Sequence, residues 1–225
     1  MTMTGSPIAI DNTLPDRVRL AVFEVRGIEV RERSDELLSA VETEMDRLRG
    51  LYPDPPSAAE WTEPARRLYR ALGIDPSRRR PSSEALLRRV LQGKGLYTVN
   101  TAVDAANLAS LRIALPVGLY DREAIVANES GVVLRLGRTG ESYDGIRKDP
   151  IHVEDRPTLA DETGAFGNPS SDSARTQVGL ETKTILFVVY APADTTEDAL
   201  RERGLIASDT MVRFVGGSGT QVCLA

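Results

Sequence analysis

Residues 80–121 read RPSSEALLRRVLQGKGLYTVNTAVDAANLASLRIALPVGLYD, and the rest of the chain is organised around this run. Pro81 followed by Ser82 and Ser83 marks a helix start, since either hydroxyl can accept the orphan N–H groups of a first turn. Leu86, Leu87, Val90 and Leu91 then form an apolar stripe, Arg88, Arg89 and Gln92 face elsewhere, and Gly93 and Gly95 end the helix. A short strand is expected next, then a second helix bearing Asn100, Asp104 and Asn107 on one face or at its entry. Asn100 and Asp104 suit a cap and a first-turn acid. Asn107 differs, because it interrupts the apolar run of Ala105, Ala106, Leu108 and Leu111, where a side-chain amide is kept only if something hydrogen-bonds to it. Pro116 closes the unit and another strand follows.

Outward from this run, residues 1–16 are small, polar and turn-prone, and are expected to be loosely held. Residues 18–25 read as a first strand with Val18, Leu20, Val22 and Phe23 on its buried side, and after Gly27 residues 28–30 extend it or pair with it. Ser34 opens a helix through Leu48. Pro53, Pro55 and Pro56 break the chain, and Ser57 with Glu60 forms a capping box for a helix through Leu72, with the sole tryptophan, Trp61, in its first turn. Downstream, 124–128 and 131–136 read as paired strands, and 137–168 as loop with strand-like pieces at 151–153 and 158–160. Residues 185–190 (ILFVVY) are a buried strand, 195–203 a short capped helix, and 211–215 with 220–224 a closing hairpin. Helices and strands in this order do not alternate as βα units, so the expected class is α+β, mixed sheets with packed helices. The chain is read as one domain over residues 1–225. It divides into an N-terminal strand and helices at 1–65, a core at 66–191 and a C-terminal helix and hairpin at 192–225.

Forty-one per cent apolar residues in 225 supply a core, and a net charge of −5 argues against nucleic-acid affinity from a general basic field. A local patch remains: Arg78, Arg79, Arg80, Arg88, Arg89 and Lys94, with Arg66, Arg67 and Arg70 before them, form either a solvated face or a set of phosphate contacts. Cys223, the single cysteine, leaves no internal disulfide and suits a reducing compartment; no apolar run has the length of a membrane span and no leader pattern is visible, so a cytoplasmic protein is expected. One histidine and one cysteine give no metal-ligand spacing, so neither metal nor other cofactor is expected, and no phosphate-loop or dinucleotide motif occurs. His152, the one candidate base for a serine hydrolase, lacks a G-x-S-x-G partner and reads better as a strand residue.

Pro81, Ser82, Leu86, Arg88, Val90, Gly95, Leu96, Asn100, Val103, Asp104, Asn107, Pro116, Tyr120 and Asp121 stand in a register that resembles the editing domain of the phenylalanyl-tRNA synthetase beta subunit, the B three-four domain. A weaker likeness continues through Leu159, Ala160, Asp161, Gly164, Asn168, Asp172, Ser173, Arg175, Thr176 and Thr182, so that it covers residues 66–191. The resemblance implies that domain's α+β fold and hydrolysis of the ester joining a wrong amino acid to the tRNA 3′ end. Positioned water and oxyanion stabilisation would suffice, without metal or a nucleophilic side chain. On this resemblance Arg175, Thr176 and Asp104 are the catalytic candidates, helped by backbone N–H groups around Gly167 and Asn168. Ser82, Glu84, Asn100, Asn107, Gly118, Asn168 and Ser173 are the substrate-binding candidates, with Asp104 or Glu84 taking the substrate ammonium and Asn100, Asn107 or Thr176 the ribose. Arg79, Arg80, Arg88 and Arg89 would meet tRNA phosphates.

Two departures stand out. Gly118 replaces the histidine of the family's P-L-H-A-F-D element, and N-P-S-S-D-S-A-R-T at 168–176 replaces a glycine-rich segment ending in Glu-Ser, which puts an arginine near the family's glutamate. The rejected amino acid therefore need not be tyrosine, and the changes fit a free-standing factor that edits another mischarged tRNA in trans, with neither membrane nor DNA as partner. Two alternatives stay open: a non-catalytic module holding tRNA or an aminoacyl-like ligand, and a small-molecule hydrolase or isomerase that never meets RNA. A catalytic pocket would gather Arg175, Thr176, Asn168 and Asp104 around one cavity, whereas a degenerate one would scatter them.

Overall fold

The structure is a computed structural model that describes residues 7–14, 16–126, 131–146 and 149–225. In chain order the elements are β1 (Ile8–Ile10), β2 (Val18–Arg26), α1 (Asp35–Leu51), α2 (Ala59–Ala71), α3 (Ser82–Leu91), α4 (Thr101–Ile113), β3 (Val117–Asp121), β4 (Val132–Leu136), β5 (Ser142–Asp144) and β6 (Pro150–His152). They continue as β7 (Pro157–Asp161), β8 (Gly164–Asn168), β9 (Ser171–Asp172), β10 (Thr184–Pro192), α5 (Glu197–Val215), β11 (Ser218–Gly219) and β12 (Cys223–Leu224). The class is α+β, as the order of elements implied.

The central sheet runs β11-β2-β10-β3, with β12 also on β2, and every pairing in it is antiparallel. β10 has neighbours on both edges and is covered on both faces, so its side chains from Ile185 to Pro192 are all buried. That two-sided burial is why the segment lacks polar alternation. β2 is two-faced as well: Val18, Leu20 and Val22 enter one core, and Ala21, Phe23 and Val25 enter the other. Phe23 thus lies opposite the face expected of it, stacked on Phe187 across the strand pair at 4.8 Å. Helices α1, α3, α4 and α5 cover the Phe23 face. A second sheet, β1-β4-β7-β8-β9, covers the other face together with α2. β5 and β6 form a separate hairpin.

Several boundaries differ from the local reading, each for a physical reason. Residues 8–10 are not loose but add to β4 as a parallel edge strand that buries Ile8, with Leu14 buried just beyond. Residues 28–30 end rather than extend β2; their N–H groups turn to Lys183 and Val215. Ser57 bonds back to Asp54, its Oγ donating to the Asp54 carbonyl at 2.7 Å, so α2 starts at Ala59 with no capping box. Pro81 itself takes the cap position of α3, which leaves Ser82 and Ser83 inside the first turn. Residues 93–99 run to α4 without pairing as a strand. Residues 124–128 do not form a strand beside β4 where they are described, residues 127 and 128 lying outside the described set; β4 pairs with β1 and β7 instead. The stretch 137–168, read as loop with strand-like pieces at 151–153 and 158–160, carries β6 and β7 at those pieces and β5 and β8 besides. α5 runs unbroken through the residues expected to form a short helix and a strand, because Gly204 brings the helix against Ala21 and Val222: a Cβ there would lie 3.1 Å from the Ala21 Cβ and 2.6 Å from Val222 Cγ1. The expected caps at Ser34 and Asn100 are present, accepting from Leu37 and Val103.

Candidate functional site

A polar cleft of about 250 Å³ opens where the N-terminal end of α3, the middle of α4, the start of β3 and the β8–β9 turn converge. Its walls include Ser82 and Leu86 from α3, Asn107 and Ser110 from α4, Val117 from β3, and Asn168 to Asp172 from the turn. The turn exists because Asn168 Oδ1 accepts from the N–H groups of Ser170 and Ser171 at 2.8 and 3.0 Å, while its Nδ2 donates to the Tyr143 hydroxyl at 2.8 Å. Tyr143 in turn donates to the Ser171 carbonyl at 2.6 Å, and Tyr69 from α2 donates to the Pro169 carbonyl at 2.9 Å and meets Ser170 Oγ at 2.8 Å. Two buried tyrosines therefore hold the turn over the cleft. Burial pushes the Tyr69 phenol up to about 12, and burial followed by the Asp172 charge pushes Tyr143 up as well, so both stay neutral donors at neutral pH.

Asn107 is the group in this cleft with unspent hydrogen-bonding capacity. It is half-buried on α4 between Ala106 and Leu108, both buried, and its amide makes no hydrogen bond among the described residues. Ser110, one turn further along the same face, donates to the Leu115 carbonyl at 2.7 Å. Asn100, Asp104, Asn107 and Ser110 thus make one polar row along a largely apolar helix. Asp172 supplies a carboxylate to the wall, and its charge acts on Tyr69, Tyr120, Tyr143 and Tyr190.

The other candidates lie elsewhere. Arg175 points away from the cleft into a bidentate pair with Asp161 at 2.9 and 3.0 Å and donates to the Ala124 carbonyl. The Asp161 side chain is fully buried; burial alone would raise its carboxyl, but hydrogen bonds from Arg175, Thr163 and Val126 outweigh that and hold it below the usual range. Thr176 and Ser173 are buried and bonded to each other at 2.9 Å. Asn100 is spent on its cap and on the Val178 carbonyl. Glu84, buried on α3, is clamped by Arg66 at 2.7 and 2.8 Å and by Arg80 at 3.4 Å, beside a different hollow between α2 and α3. Asp104 sits in a third hollow, with Oδ1 accepting from Val99 N–H. Arg175, Thr176, Asn168 and Asp104 are therefore divided among separate surroundings rather than gathered around one cavity.

Gly118 does not face the cleft. A Cβ on it would meet the Tyr120 ring, 2.7 Å from Cε2 and closer still to Oη, and a Cβ on Gly167 would likewise stand 2.5 Å from Cε1 of the same ring. The missing side chain at 118 makes room for Tyr120, whose hydroxyl pairs with that of Tyr190 at 3.2 Å. Of the four proposed phosphate contacts, Arg80 is engaged by Glu84, and Arg89 by the Gly95 carbonyl and Tyr97. Arg79 and Arg88 make no ion pair among the described residues. Arg79 lies near Tyr69 and Tyr143, whose pKa values its charge pulls back, and so flanks the cleft. Sequence reasoning missed Tyr69, Tyr143 and Ser110; the last continues the Asn100, Asp104, Asn107 spacing and was findable from it. Among the described residues no three of His, Cys, Asp and Glu converge to hold a metal ion, and no helix is long and apolar enough to cross a membrane.

The family model described as the B3/4 domain matches residues 64–220. The phenylalanine-tRNA ligase beta subunit of Streptomyces avermitilis is 27% identical to this chain over 154 residues, which are 64% of this chain and 17% of that protein, so the chain spans a small part of the relative's length. A crystal structure of an N-terminal fragment of the phenylalanyl-tRNA synthetase beta subunit from Pyrococcus horikoshii covers 97% of this chain and 52% of its own, at 13% identity and a TM-score of 0.46.

Proposed function

The chain belongs to the B3/4 domain family, and on that premise we propose that its polar cleft receives the aminoacylated 3′ end of a tRNA and promotes hydrolysis of the ester. The observation that carries this reading is Asn107: a half-buried amide with no hydrogen-bond partner among the described residues, opening on a cleft whose polar lining includes Ser82, Ser110, Asn168, Ser170, Ser171 and Asp172. Such an amide, facing the cleft rather than a partner in the fold, is free to bond a ligand that enters. A relative named as a tRNA ligase subunit supports tRNA as the bearer of that ligand.

In this reading the Asn107 N–H donates to the ester carbonyl oxygen and strengthens its hold as negative charge develops there. A water in the cleft attacks the carbonyl carbon and passes its proton to Asp172. The tetrahedral intermediate then expels the ribose oxygen, which takes that proton back, leaving a free amino acid and an uncharged tRNA. Ser82 and Ser170 face the ribose, and Arg79 with Arg88 meets the terminal phosphates. Arg175 has no part in the chemistry, because Asp161 holds it.

A second reading, in which the cleft holds the aminoacyl end without cleaving it, is favoured by the dispersal of Arg175, Thr176 and Asp104. The two separate cleanly when the purified chain is given, in trans, a panel of tRNAs charged with cognate and non-cognate amino acids. Rapid ester loss on one or a few substrates, abolished by Asp172→Asn, is the expected result. No hydrolysis on any, with the tRNA still bound, would refute hydrolysis and leave the holding role.

A further inference from the structure

Two hollows meet at Asn107. On the side away from the polar cleft, α1 and residues 95–98 enclose a space of about 150 Å³ whose lining includes Leu38, Val41, Met45 and Leu96 together with Asp104. A cavity of that size and lining holds one benzene-sized apolar group. α1 lies outside the residues that the family model matches, so this wall is an addition to the B3/4 unit.

Leu38, Val41, Met45 and Leu96 give the hollow an apolar wall, Tyr97, Thr98 and Asn107 add uncharged polar groups, and of its two carboxylates Asp104 is the inner one. Its residue is 6% exposed, Oδ1 accepts one N–H from Val99 at 3.0 Å, and no lysine or arginine pairs with it among the described residues. Burial raises its carboxyl above the ordinary value, opposed in part by the Val99 bond. Glu42, on the rim, is exposed and reached by Arg49 at 3.4 Å. A ligand carrying an ammonium beside an apolar group would therefore meet an inner carboxylate that lacks a countercharge and an apolar space of matching size. Asp104 and Asn107 are one helical turn apart on the same face, about 5–6 Å between Cβ atoms, so adjacent atoms of one small ligand reach both.

We propose that this hollow is the subsite for the amino-acid part of the ester, which makes the substrate class an aminoacyl-tRNA with an apolar side chain of leucine, methionine or phenylalanine size. The α-ammonium pairs with Asp104, the ester lies over Asn107, and the side chain lodges among Leu38, Val41, Met45 and Leu96. This inference rests on the cleft receiving an aminoacyl end.

The test is calorimetric binding of non-hydrolysable 3′-aminoacylamino-3′-deoxyadenosines bearing alanine, leucine, phenylalanine or lysine, measured with the intact chain and with Leu38→Trp and Asp104→Asn. The leucine and phenylalanine compounds are expected to bind at least tenfold tighter than those of alanine and lysine. Leu38→Trp, at a half-buried position that tolerates a larger side chain, should erase that preference while keeping alanine binding. Asp104→Asn should weaken every α-amino compound about tenfold and leave the α-hydroxy analogue of the leucine compound unchanged. Binding with no side-chain preference, unmoved by Leu38→Trp, would overturn the subsite and spare the cleft. Binding of none of the compounds by the unaltered chain would overturn both.

Discussion

Replacing Gly118 with alanine is expected to cost about 3–4 kcal/mol, although the position carries no side chain. The new Cβ would stand 2.7 Å from Tyr120 Cε2 and 2.8 Å from Cζ, well inside ordinary van der Waals contact. On its other side the ring already fills the space that a Cβ at Gly167 would need, and Phe166 meets its edge with centroids 5.1 Å apart, so little room is left for it to retreat. Overpacking of a closed core costs about 1–3 kcal/mol, and a ring held on two sides belongs at the upper end. Displacing Tyr120 also breaks its hydrogen bond to Tyr190, worth about 1 kcal/mol and leaving two buried hydroxyls unsatisfied. Tyr120→Ala alone should cost about 3–5 kcal/mol through the cavity it leaves. In that background Gly118→Ala should add almost nothing, so the two substitutions couple by about 2–3 kcal/mol. Urea unfolding followed by Trp61 fluorescence, with the slope held constant, measures all four corners of the cycle. A Gly118→Ala variant within about 0.5 kcal/mol of the parent, or the same cost in both backgrounds, would refute the packing account. The same geometry predicts that grafting the family's histidine at 118 destabilises the chain rather than restoring a catalytic group.

Arg175→Ala should lower stability by about 2 kcal/mol and leave ester hydrolysis per folded molecule unchanged. That cost is below the usual figure for a broken buried pair, because Arg175 is about a third exposed and Asp161 keeps its bonds from Val126 and Thr163. Glu141 is held by two Arg135 bonds, chiefly, and by the N–H groups of Arg138 and Ala165, which lower its carboxyl from 4.5 to about 2. Between those values the unfolded chain binds more protons than the native one, so up to about 3 kcal/mol of stability is present above pH 4.5 and lost as pH falls toward 2. Glu141→Gln should remove that amount at pH 7, and its deficit in chemical denaturation should vanish near pH 2. Arg79→Ala and Arg88→Ala should each weaken tRNA binding and reduce the slope of log affinity against log salt by about 0.7–0.9, whereas Arg80→Ala should leave the slope unchanged; equal slopes for all three would contradict the assignment.

Some elements were legible from local chemistry alone, although the caps expected at Ser57 and at Ser82 or Ser83 are not formed. The unbroken apolar run of β10 announced a strand covered on both faces, the Ser34 and Asn100 side chains announced helix starts, and Asn107 announced itself as an amide in an apolar stripe. Several features that the sequence alone could not show share a cause, which is a partner distant in sequence or a close packing that exists only in the fold. Arg175 looked like a free cation beside a substrate site, but Asp161 lies across the β7–β8 hairpin and claims it. Glu84 looked available until α2 delivered Arg66. Gly118 looked like a lost histidine, yet what occupies the vacated space is Tyr120, two residues on along the same strand face. The helix read over 195–203 runs on as α5 through Gly204, whose close approach to Ala21 and Val222 exists only once the helix packs on the sheet. In the stretch 137–168 the expected pieces at 151–153 and 158–160 are β6 and β7, whereas β5 and β8 went unread, because pieces of three to five residues carry too little periodicity to be told from turns.

The most direct test of the cleft assignment compares Asn107→Ala with Arg175→Ala, each confirmed folded, in single-turnover hydrolysis of the best mischarged tRNA from the panel. If Asn107 holds the ester carbonyl, its loss should lower the rate about 100-fold or more, as removal of one oxyanion donor does, while Arg175→Ala hydrolyses at the parental rate. Full activity in Asn107→Ala together with collapse in Arg175→Ala would contradict the account and move the chemistry to the Asp161 side of the molecule.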